Sequence, residues 1–283
     1  MKILMIGAHQ DDNEFRCGGL AHKYVKLGHE VTFLSVCNGC GGHHVMGPEE
    51  TTATRAKESA AVAELLGITY DVWDIPDCNV EADLKTRKRM IRYIRNINPD
   101  IIISHRTNDY HADHRAVGQL VQDASYLLTV PNECPDAPAM RFMPVIMYNE
   151  DNFKHPVFCG DIVLDMDDEI DTKLKIADLN VCQVYEWLPY TKGELEQVPE
   201  DKAERFEWLK GMKITSETTD EEVMAAKSGY AVRFAKTAAR FRDKLIERYG
   251  VEKGSKIRYA EAYELCEYGK QPDEEMLKEM FPF

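Results

Sequence analysis

Short runs of consecutive apolar residues alternate with segments of helical periodicity along the first half of this chain. Such runs, closed by turn residues, are typical of buried strands, and apolar positions that recur every three to four residues are typical of helices. The pattern predicts strands at Lys2–Gly7, Glu30–Val36, Tyr70–Ile75 and Asp100–Ser104. It predicts a helix after each strand, at Gly18–Lys26, Thr51–Leu66, Asp83–Ile97 and His114–Leu128.

Strands that are apolar throughout, each followed by a helix, indicate a parallel sheet covered on both faces. The predicted fold class is therefore α/β: a Rossmann-like, doubly wound, mostly parallel sheet with helices on both faces, plus C-terminal helical and strand additions. The later part of the chain predicts strands at Pro144–Tyr148 and Asp161–Leu164, and helices at Asp171–Val184 and Glu221–Tyr249. No linker marks a boundary, so we expect a single domain over residues 1–283, with a core at 1–170 and a C-terminal extension at 171–283.

Composition and charge narrow the class of partner. The chain has 283 residues, of which 44% are hydrophobic, and a formal net charge of −14. An acidic surface repels phosphate backbones, so we expect no nucleic-acid partner. No apolar stretch reaches the ~18 residues that a membrane helix needs, and the N-terminus does not follow the pattern of a signal peptide. We therefore predict a cytoplasmic protein without a membrane partner.

The eight cysteines are scattered along the chain, which favours reduced thiols in a cytoplasmic protein. Cys37 and Cys40 form a C-x-x-C motif. A structural zinc site would need a second such pair, and a redox pair would normally open a helix, whereas Gly41 and Gly42 follow here. We favour reduced thiols over either alternative.

Acids and histidines gather directly after the first and the fourth predicted strands. Together the two clusters contain His9, Asp11, Asp12, His105, Asp109, His111, Asp113 and His114. In doubly wound sheets, ligands bind outside the carboxyl ends of the strands, and the first and fourth strands are commonly neighbours at the point where the strand order reverses. The two clusters are therefore expected to meet in one site, although they are far apart in sequence.

A catalytic zinc ion needs three protein ligands from imidazole and carboxylate groups and keeps one position open. The two clusters offer more side chains than this, so the remainder could supply a base, an oxyanion donor and groups that orient the ligands. Either cluster alone would as readily be a solvated loop or a helix cap. Their joint occurrence at neighbouring strand ends favours an active site.

Both clusters resemble motifs of a known family. Residues 8–14, AHQDDNE, are similar to the AHPDDE motif of the PIG-L/LmbE-like family of zinc-dependent N-acetylglucosamine deacetylases, and residues 111–114, HADH, are similar to its H-x-D-H motif. Arg55 and Glu58 match the R-x-x-E of that family. The resemblance is clear over residues 1–120 and weak beyond them.

The resemblance implies a role for each matched residue. It implies three zinc ligands, which are His9, Asp12 and His114. Asp11 would be the general base, and His111 would stabilise the oxyanion or donate a proton to the leaving amine. Asp113 would orient a neighbouring histidine.

Arg55 has two interpretations. On the resemblance it would bind the substrate, and the alternative is a surface arginine of a helix paired with Glu58 or Glu49. His43 and His44, in a Gly-rich stretch after the second strand, are interpreted as a flexible loop pair in preference to a second metal site.

The chain departs from the family pattern in two places. Gln10 stands where proline is usual, which removes no ligand. Residues 175–183 resemble a late K…H-x-S-Q pattern, but Asn180 and Cys182 stand where histidine and serine are usual. If that pattern shapes the substrate pocket, the pocket of this chain differs from those of other members.

The leading hypothesis is a Zn²⁺-dependent N-deacetylase that releases acetate from an N-acetylated amino sugar or from a glycoside of one. Fe²⁺ and Mn²⁺ suit the same ligands. The alternatives are a metal-dependent amidohydrolase that acts on a non-sugar amide and a non-catalytic Rossmann-like ligand-binding protein, although no G-x-G-x-x-G fingerprint supports a dinucleotide. The expected partner is a small-molecule amino-sugar substrate, and a homo-oligomer is compatible with the sequence.

Overall fold

The computed structural model describes residues 1–227 and 229–283. Its strands join into one seven-stranded sheet. In chain order they are β1 (Lys2–Gly7), β2 (Glu30–Cys37), β3 (Thr69–Ile75), β4 (Ile101–Ser104), β5 (Val145–Asn149), β6 (Ile162–Asp165) and β7 (Ala260–Leu265).

Helices follow each of the first four strands and make up most of the C-terminal part. The first four are α1 (Gln10–Lys26), α2 (Pro48–Leu66), α3 (Leu84–Ile97) and α4 (Ala112–Leu127). The later ones are α5 (Ile170–Leu179), α6 (Leu188–Lys192), α7 (Lys202–Lys210), α8 (Asp220–Ala225), α9 (Tyr230–Arg240), α10 (Arg242–Gly254) and α11 (Glu274–Met280). A π-helical segment at Cys182–Trp187 precedes α6, and a 3₁₀ turn at Leu195–Gln197 follows it.

The strand order across the sheet is β3-β2-β1-β4-β5-β7-β6. β1 pairs in parallel with both β2 and β4, so the order reverses beside β1, as the sequence predicted. β3 and β5 extend the parallel part, and β7 is antiparallel to both β5 and β6. The predicted α/β class with a mostly parallel sheet is confirmed.

The side chains of β1 alternate between two apolar clusters on opposite faces of the sheet. Ile3 and Met5 share a cluster with Leu20 of α1, whereas Leu4 and Ile6 share the other with residues of α3 and α4. This alternation follows from the two-residue period of a strand. Helices therefore cover both faces. No helix in the described part of the chain is long and apolar enough to span a membrane.

The first helix begins eight residues before the predicted start at Gly18, since α1 starts at Gln10. The acidic residues that made residues 9–14 look like a loop instead form the first turn. His9 is the N-cap residue, and the carboxylate of Asp12 accepts hydrogen bonds from the backbone N–H groups of Ala8 and His9. Acids in the first turn also interact favourably with the helix dipole.

The single helix predicted at Glu221–Tyr249 is wrong. The structure has α8, α9 and α10 there, and residue 228 lies outside the described residues. Phe241 has φ −115° and ψ 32°, which separates α9 from α10. Ala238 before the break and Leu245 after it pack in the same apolar cluster, so the periodicity of the sequence continues across the break and conceals it.

The helix predicted at Asp171–Val184 is also shorter than expected, because α5 ends at Leu179. The next residue, Asn180, turns its amide towards the buried carboxylate of Glu14. The strand β7 was not predicted, although it lies between β5 and β6 in the sheet.

Candidate metal centre and active site

The turn from β1 into α1 fixes the first cluster. Oδ2 of Asp12 lies 3.0 Å from the backbone nitrogen of Ala8 and 2.8 Å from that of His9, so both N–H groups donate to it. A Cβ atom at Gly7 would come within 2.8 Å of the Cβ of Asp12, so a side chain there would push this turn away from the strand. The N-terminus of α1 therefore holds Asp12 close to the end of β1.

The second cluster lies on the path from β4 into α4. His111 caps α4, and His114 lies in its first turn. At Gly118, an added Cβ would lie 2.8 Å from the carbonyl oxygen of His105, which shows how closely α4 approaches the end of β4. Because β4 lies beside β1, the two predicted clusters meet at the carboxyl edge of the sheet.

The atoms of the three predicted ligands lie at distances that suit one ion. Nδ1 of His9 is 3.3 Å from Nε2 of His114 and 3.6 Å from Oδ2 of Asp12. Nε2 of His114 is 3.4 Å from Oδ1 of Asp12. Tetrahedral zinc with ligand bonds of about 2.0–2.1 Å places its ligand atoms roughly 3.3–3.4 Å from one another. His9, Asp12 and His114 therefore lie close to the spacing that one zinc ion needs, with Oδ2 of Asp12 nearest to His9 and Oδ1 nearest to His114.

Two triads that share members with the predicted set have ligand atoms within 4.8 Å of one another: His9, His111 and His114, and Asp12, His105 and His114. Nε2 of His105 already lies 3.2 Å from Oδ2 of Asp12 and 3.1 Å from the backbone nitrogen of Ala8. His105 is also buried. His105 is therefore better placed to hydrogen-bond to Asp12 than to bind the metal itself.

A carboxylate orients each of the two candidate histidine ligands. Nε2 of His9 is 3.1 Å from Oδ2 of Asp113, and Nδ1 of His114 is 3.1 Å from Oδ1 of Asp109. Each imidazole thus has one nitrogen held by a carboxylate and the other turned towards the shared site. Metal-binding histidines commonly have this arrangement. The sequence had placed Asp109 among the candidates without a specific role, since only the fold reveals its contact with His114.

The electrostatics of the cluster favour a positive charge at its centre. Burial acts against ionisation of Asp12, but the charges of His114 and His105 hold its pKa well below the usual range. Burial would lower the pKa of His9, yet its hydrogen bonds with Asp113 and Asp12 raise it well above the usual value. Carboxylates that favour an extra proton on these histidines also favour a cation that replaces it.

The carboxylate of Asp11 contacts Arg55, whereas that of Asp12 lies beside His114. Its Oδ1 accepts a hydrogen bond of 2.8 Å from Nη2 of Arg55, whose side chain is only 3% exposed. Within the described residues, Arg55 forms no ion pair with Glu58 or Glu49, the partners of the surface alternative. Glu58 instead accepts a hydrogen bond from the backbone of Cys182. Arg55 therefore holds Asp11, and its contact with substrate stays a prediction.

His111 presents one ring nitrogen to the site. Its Nδ1 accepts a hydrogen bond of 3.2 Å from the backbone N–H of Asp113, and no described residue bonds to its Nε2. Partial burial lowers its pKa, and so do the charges of His9 and His114. The neutral ring that results must carry its proton on Nε2, because Nδ1 is an acceptor. His111 is thus a hydrogen-bond donor at the edge of the site.

The segment after α5 packs against the Gly-rich loop that follows β2. Nε2 of Gln183 donates to the carbonyl oxygen of Gly42 at 2.7 Å, and Nε2 of His43 lies 2.7 Å from Oε2 of Glu186. His44 stacks on Tyr190 with ring centroids 4.2 Å apart. His43 and His44 therefore contact Glu186 and Tyr190, and the flexibility of this loop stays a prediction. Neither histidine belongs to a group of potential metal ligands among the described residues.

Residues 4–125 match the family PIG-L, GlcNAc-PI de-N-acetylase, and both motif clusters lie within that range. This part of the chain is similar to the PIG-L family. A curated relative, 4-oxalmesaconate hydratase of Pseudomonas putida, is 24% identical over 202 residues, which cover 69% of this chain and 78% of the relative.

Solved structures of PIG-L type share the fold. The N,N'-diacetylchitobiose deacetylase of Pyrococcus horikoshii superposes with a TM-score of 0.68 at 19% identity, over 94% of this chain and 84% of the other. The 4-carboxy-2-hydroxymuconate hydratase of Pseudomonas putida superposes with a TM-score of 0.67 at 19% identity, over 96% and 98%. Similarity at this level of identity shows the fold. The proteins that this chain resembles thus include both deacetylases and hydratases, which supports an enzymatic role.

Proposed function

We propose that the protein is a metal-dependent N-deacetylase that hydrolyses the acetamide of an N-acetylglucosamine-type sugar or glycoside to acetate and a free amine. The observation that carries the proposal is the set of distances from 3.3 to 3.6 Å among the ligand atoms of His9, Asp12 and His114. The ring of His111 lies beside that of His9, with centroids 4.8 Å apart, and Asp11 directly precedes Asp12 in the first turn of α1.

His9, Asp12 and His114 would hold the metal through Nδ1, a carboxylate oxygen and Nε2, respectively. When bound, a zinc ion acidifies water and polarises a carbonyl group, which are the two effects that amide hydrolysis needs. Fe²⁺ and Mn²⁺ are alternatives that the same ligands accept.

Asp11 would accept the proton of the attacking water. Its side chain is 19% exposed, so solvent and substrate can reach it, and Arg55 holds Oδ1 at 2.8 Å. This ion pair leaves Oδ2 free to take the proton and restricts the rotation of the carboxylate. A base that is fixed in this way needs less reorganisation during the reaction.

His111 would act on the other side of the reacting carbon. As attack proceeds, the carbonyl oxygen gains negative charge, which Nε2–H of a neutral His111 can stabilise by a hydrogen bond. The C–N bond then breaks, and the nitrogen leaves as an amine once it has gained a proton. That proton comes from His111 or from Asp11, which has taken it from the water.

The test combines metal analysis with an acetate-release assay on N-acetylglucosamine and its glycosides. The proposal expects one metal ion per chain and acetate release that stops when a chelator removes the metal. Asp11→Asn should retain the metal and lose at least about 100-fold in kcat, the usual contribution of a general base. Full activity of Asp11→Asn would refute the role of Asp11, and absence of acetate from every N-acetylhexosamine compound would refute the deacetylase.

A second candidate is a hydratase, because the curated relative at 24% identity is a hydratase. Both reactions need an activated water and a donor that stabilises negative charge on oxygen, which Asp11 and His111 could supply in either case. Incubation with unsaturated tricarboxylates such as 4-carboxy-2-hydroxymuconate, followed by the loss of their ultraviolet absorbance, tests this candidate. Turnover there without acetate release from any amide would replace the deacetylase by the hydratase.

A further inference from the structure

A second group of potential metal ligands lies next to the candidate metal centre. One ligand atom from each of Cys78, His111 and Asp113 lies within 4.8 Å of the other two. Nδ1 of His111 is 3.8 Å from Oδ2 of Asp113, and the backbone nitrogen of Cys78 is 2.7 Å from the same oxygen. None of these three residues is a proposed ligand of the candidate metal centre. The group is therefore free to hold an additional ion.

The spacing of this group is somewhat wider than a bound ion requires. Tetrahedral zinc, with bonds of about 2.3 Å to sulfur and 2.0–2.1 Å to nitrogen, places the two ligand atoms roughly 3.6 Å apart. Cys78 is exposed, and its Sγ makes no hydrogen bond with any residue of 1–227 or 229–283. Rotation of this side chain can therefore adjust the position of the sulfur, and solvent gives an ion access to it.

Cys37 is the other thiol beside Asp113, with its Sγ 3.6 Å from Oδ2. It is fully buried, and the group of potential ligands that includes it also contains His9 and Asp77. Because His9 is a proposed ligand of the candidate metal centre, that group cannot hold an ion beside a filled centre. The group of Cys78 leaves all three proposed ligands of the centre in place.

A sulfur ligand determines which class of ion suits the group. Thiolate and imidazole favour Zn²⁺ and similar thiophilic ions such as Co²⁺ and Cd²⁺, whereas Mg²⁺ and Ca²⁺ favour oxygen ligands. An ion that binds there displaces the proton of the thiol, which passes to solvent. The candidate metal centre differs, since its proposed ligands offer only nitrogen and oxygen.

We propose that Cys78, His111 and Asp113 form a second site for a thiophilic divalent cation, which fills only after the candidate metal centre. Binding there is the weaker of the two, because Nδ1 of His111 has to give up the hydrogen bond of 3.2 Å from the backbone N–H of Asp113. The ion in the candidate metal centre also repels a second cation nearby.

Occupation of the second site should inhibit the protein. The ion would compete with His9 for the carboxylate of Asp113, whose Oδ2 now lies 3.1 Å from Nε2 of that histidine. It would also turn the ring of His111 towards Cys78 and away from the reacting carbonyl group. The inhibition rests on the proposed function, whereas the site itself does not.

Titration of metal-free protein with Co²⁺ tests the site without a substrate. Cobalt that is bound by a thiolate absorbs strongly in the near ultraviolet, and cobalt that is bound only by nitrogen and oxygen does not. We expect the first equivalent to bind without this band and the second to produce it. Cys78→Ala should bind the first equivalent and lack the band. The control, Cys159→Ala, removes an exposed thiol outside the groups of potential ligands found in the described chain and should retain the band.

Acetate release at rising Zn²⁺ concentration tests the inhibition. Wild type and Cys159→Ala should lose activity once Zn²⁺ exceeds one equivalent by enough to fill the second site. Cys78→Ala should have wild-type activity at one equivalent and tolerate at least about a 10-fold higher excess, since even a residue that only orients a ligand contributes this much to metal affinity. The same excess of Mg²⁺ should not inhibit any of the three proteins.

The absence of a thiolate band in wild type would overturn the inference, and so would a band that persists in Cys78→Ala. Loss of the band in Cys37→Ala, with its retention in Cys78→Ala, would assign the sulfur to the buried thiol instead. Equal inhibition of wild type and Cys78→Ala by Zn²⁺ would show that the inhibitory ion binds elsewhere. If no substrate releases acetate, the proposed function fails, and the cobalt titration still decides whether the second site exists.

Discussion

Asp113 is the most enclosed carboxylate of the candidate site. It is fully buried, and its Oδ2 lies 3.1 Å from Nε2 of His9. The backbone nitrogens of Cys78 and Val80 donate to the same carboxylate at 2.7 and 3.2 Å. Burial opposes ionisation, but these three hydrogen bonds lower the pKa of Asp113 to about 2. A carboxylate fixed in this way can hold the ring of His9 in one orientation, so Asp113 is better described as a positioning residue than as a catalytic one.

Asp113→Asn should therefore weaken metal binding without removing a ligand. The amide keeps the volume but no longer offers two charged acceptors, so we expect the metal affinity to fall by about 10- to 100-fold, as is usual for partners of ligating histidines. Competition with a chromogenic chelator measures it. Asp109→Asn should act similarly through His114, and Asp123→Asn, on the exposed side of α4, is the control. An unchanged affinity in both site variants would contradict the orienting role.

Arg55→Met separates two roles of this arginine by its kinetics. If Arg55 acts by holding Asp11 at 2.8 Å, its loss should lower kcat by about 10- to 100-fold, the range for a charged hydrogen bond, with little change in KM. If Arg55 binds substrate, KM should rise instead. Steady-state acetate release distinguishes the two, and a partial recovery of kcat in Arg55→Lys would support the positioning role. A rise in KM alone would favour the substrate contact that the sequence suggested.

At the residue scale, the sequence predicted which side chains meet but not what each one contacts. The two motifs led to His9, Asp12 and His114, and strand order brought them together. The contact between Arg55 and Asp11 joins α2 to α1, and that between Asn180 and Glu14 joins the end of α5 to α1. No motif spacing encodes such contacts, because they depend on how separate helices pack.

At the scale of elements, the short helix α8 is tied to α10 by an ion pair. Nε and Nη2 of Arg242 donate to the two oxygens of Asp220 at 2.9 and 2.8 Å, and the hydrogen bond from Arg242 lowers the pKa of Asp220. A depressed carboxylate pKa means that the ion pair stabilises the fold above the unfolded pKa, about 3.9. This stabilisation disappears as the pH falls through the lower, folded pKa.

Asp220→Asn should lower the free energy of unfolding at pH 7 by up to about 1 kcal/mol, since the carboxylate is 38% exposed and solvent screens the pair. The difference from wild type should shrink as the pH falls below about 4. Urea denaturation at a series of pH values measures it, and Asp243→Asn, one residue beyond Arg242, is a charge-matched control. A difference that persists in acid would show that the ion pair is not the cause.

Helix boundaries were the least predictable part of the fold. The sequence placed the core strands within one or two residues, because a run such as Ile101–Ser104 is apolar on both faces. It missed the first turns of α1, where Asp11, Asp12 and Asn13 are poor helix formers that are stabilised here by the cap at His9. It also joined α8, α9 and α10 into one helix, since periodicity continues across a break that tertiary packing creates.

At the scale of the whole molecule, the candidate metal centre joins two halves of the sheet. His9 and Asp12 belong to the turn from β1 into α1, and His114 belongs to α4 after β4, 105 residues away from His9 along the chain. An ion shared between them would bind the folded chain and not the unfolded one, in which the ligands are far apart. Metal binding is therefore coupled to global stability.

Addition of Zn²⁺ to metal-free protein should raise the melting temperature. At a free concentration of about 100 times Kd, the linkage adds about 2.7 kcal/mol to the free energy of unfolding. Scanning calorimetry with and without metal measures the shift. His114→Ala should abolish most of it, because two remaining ligands hold zinc weakly, whereas His155→Ala, at an exposed position outside the candidate ligand groups, should retain it. An equal shift in wild type and His114→Ala would mean that zinc binds elsewhere, and the triad would then lose its claim to be the metal centre.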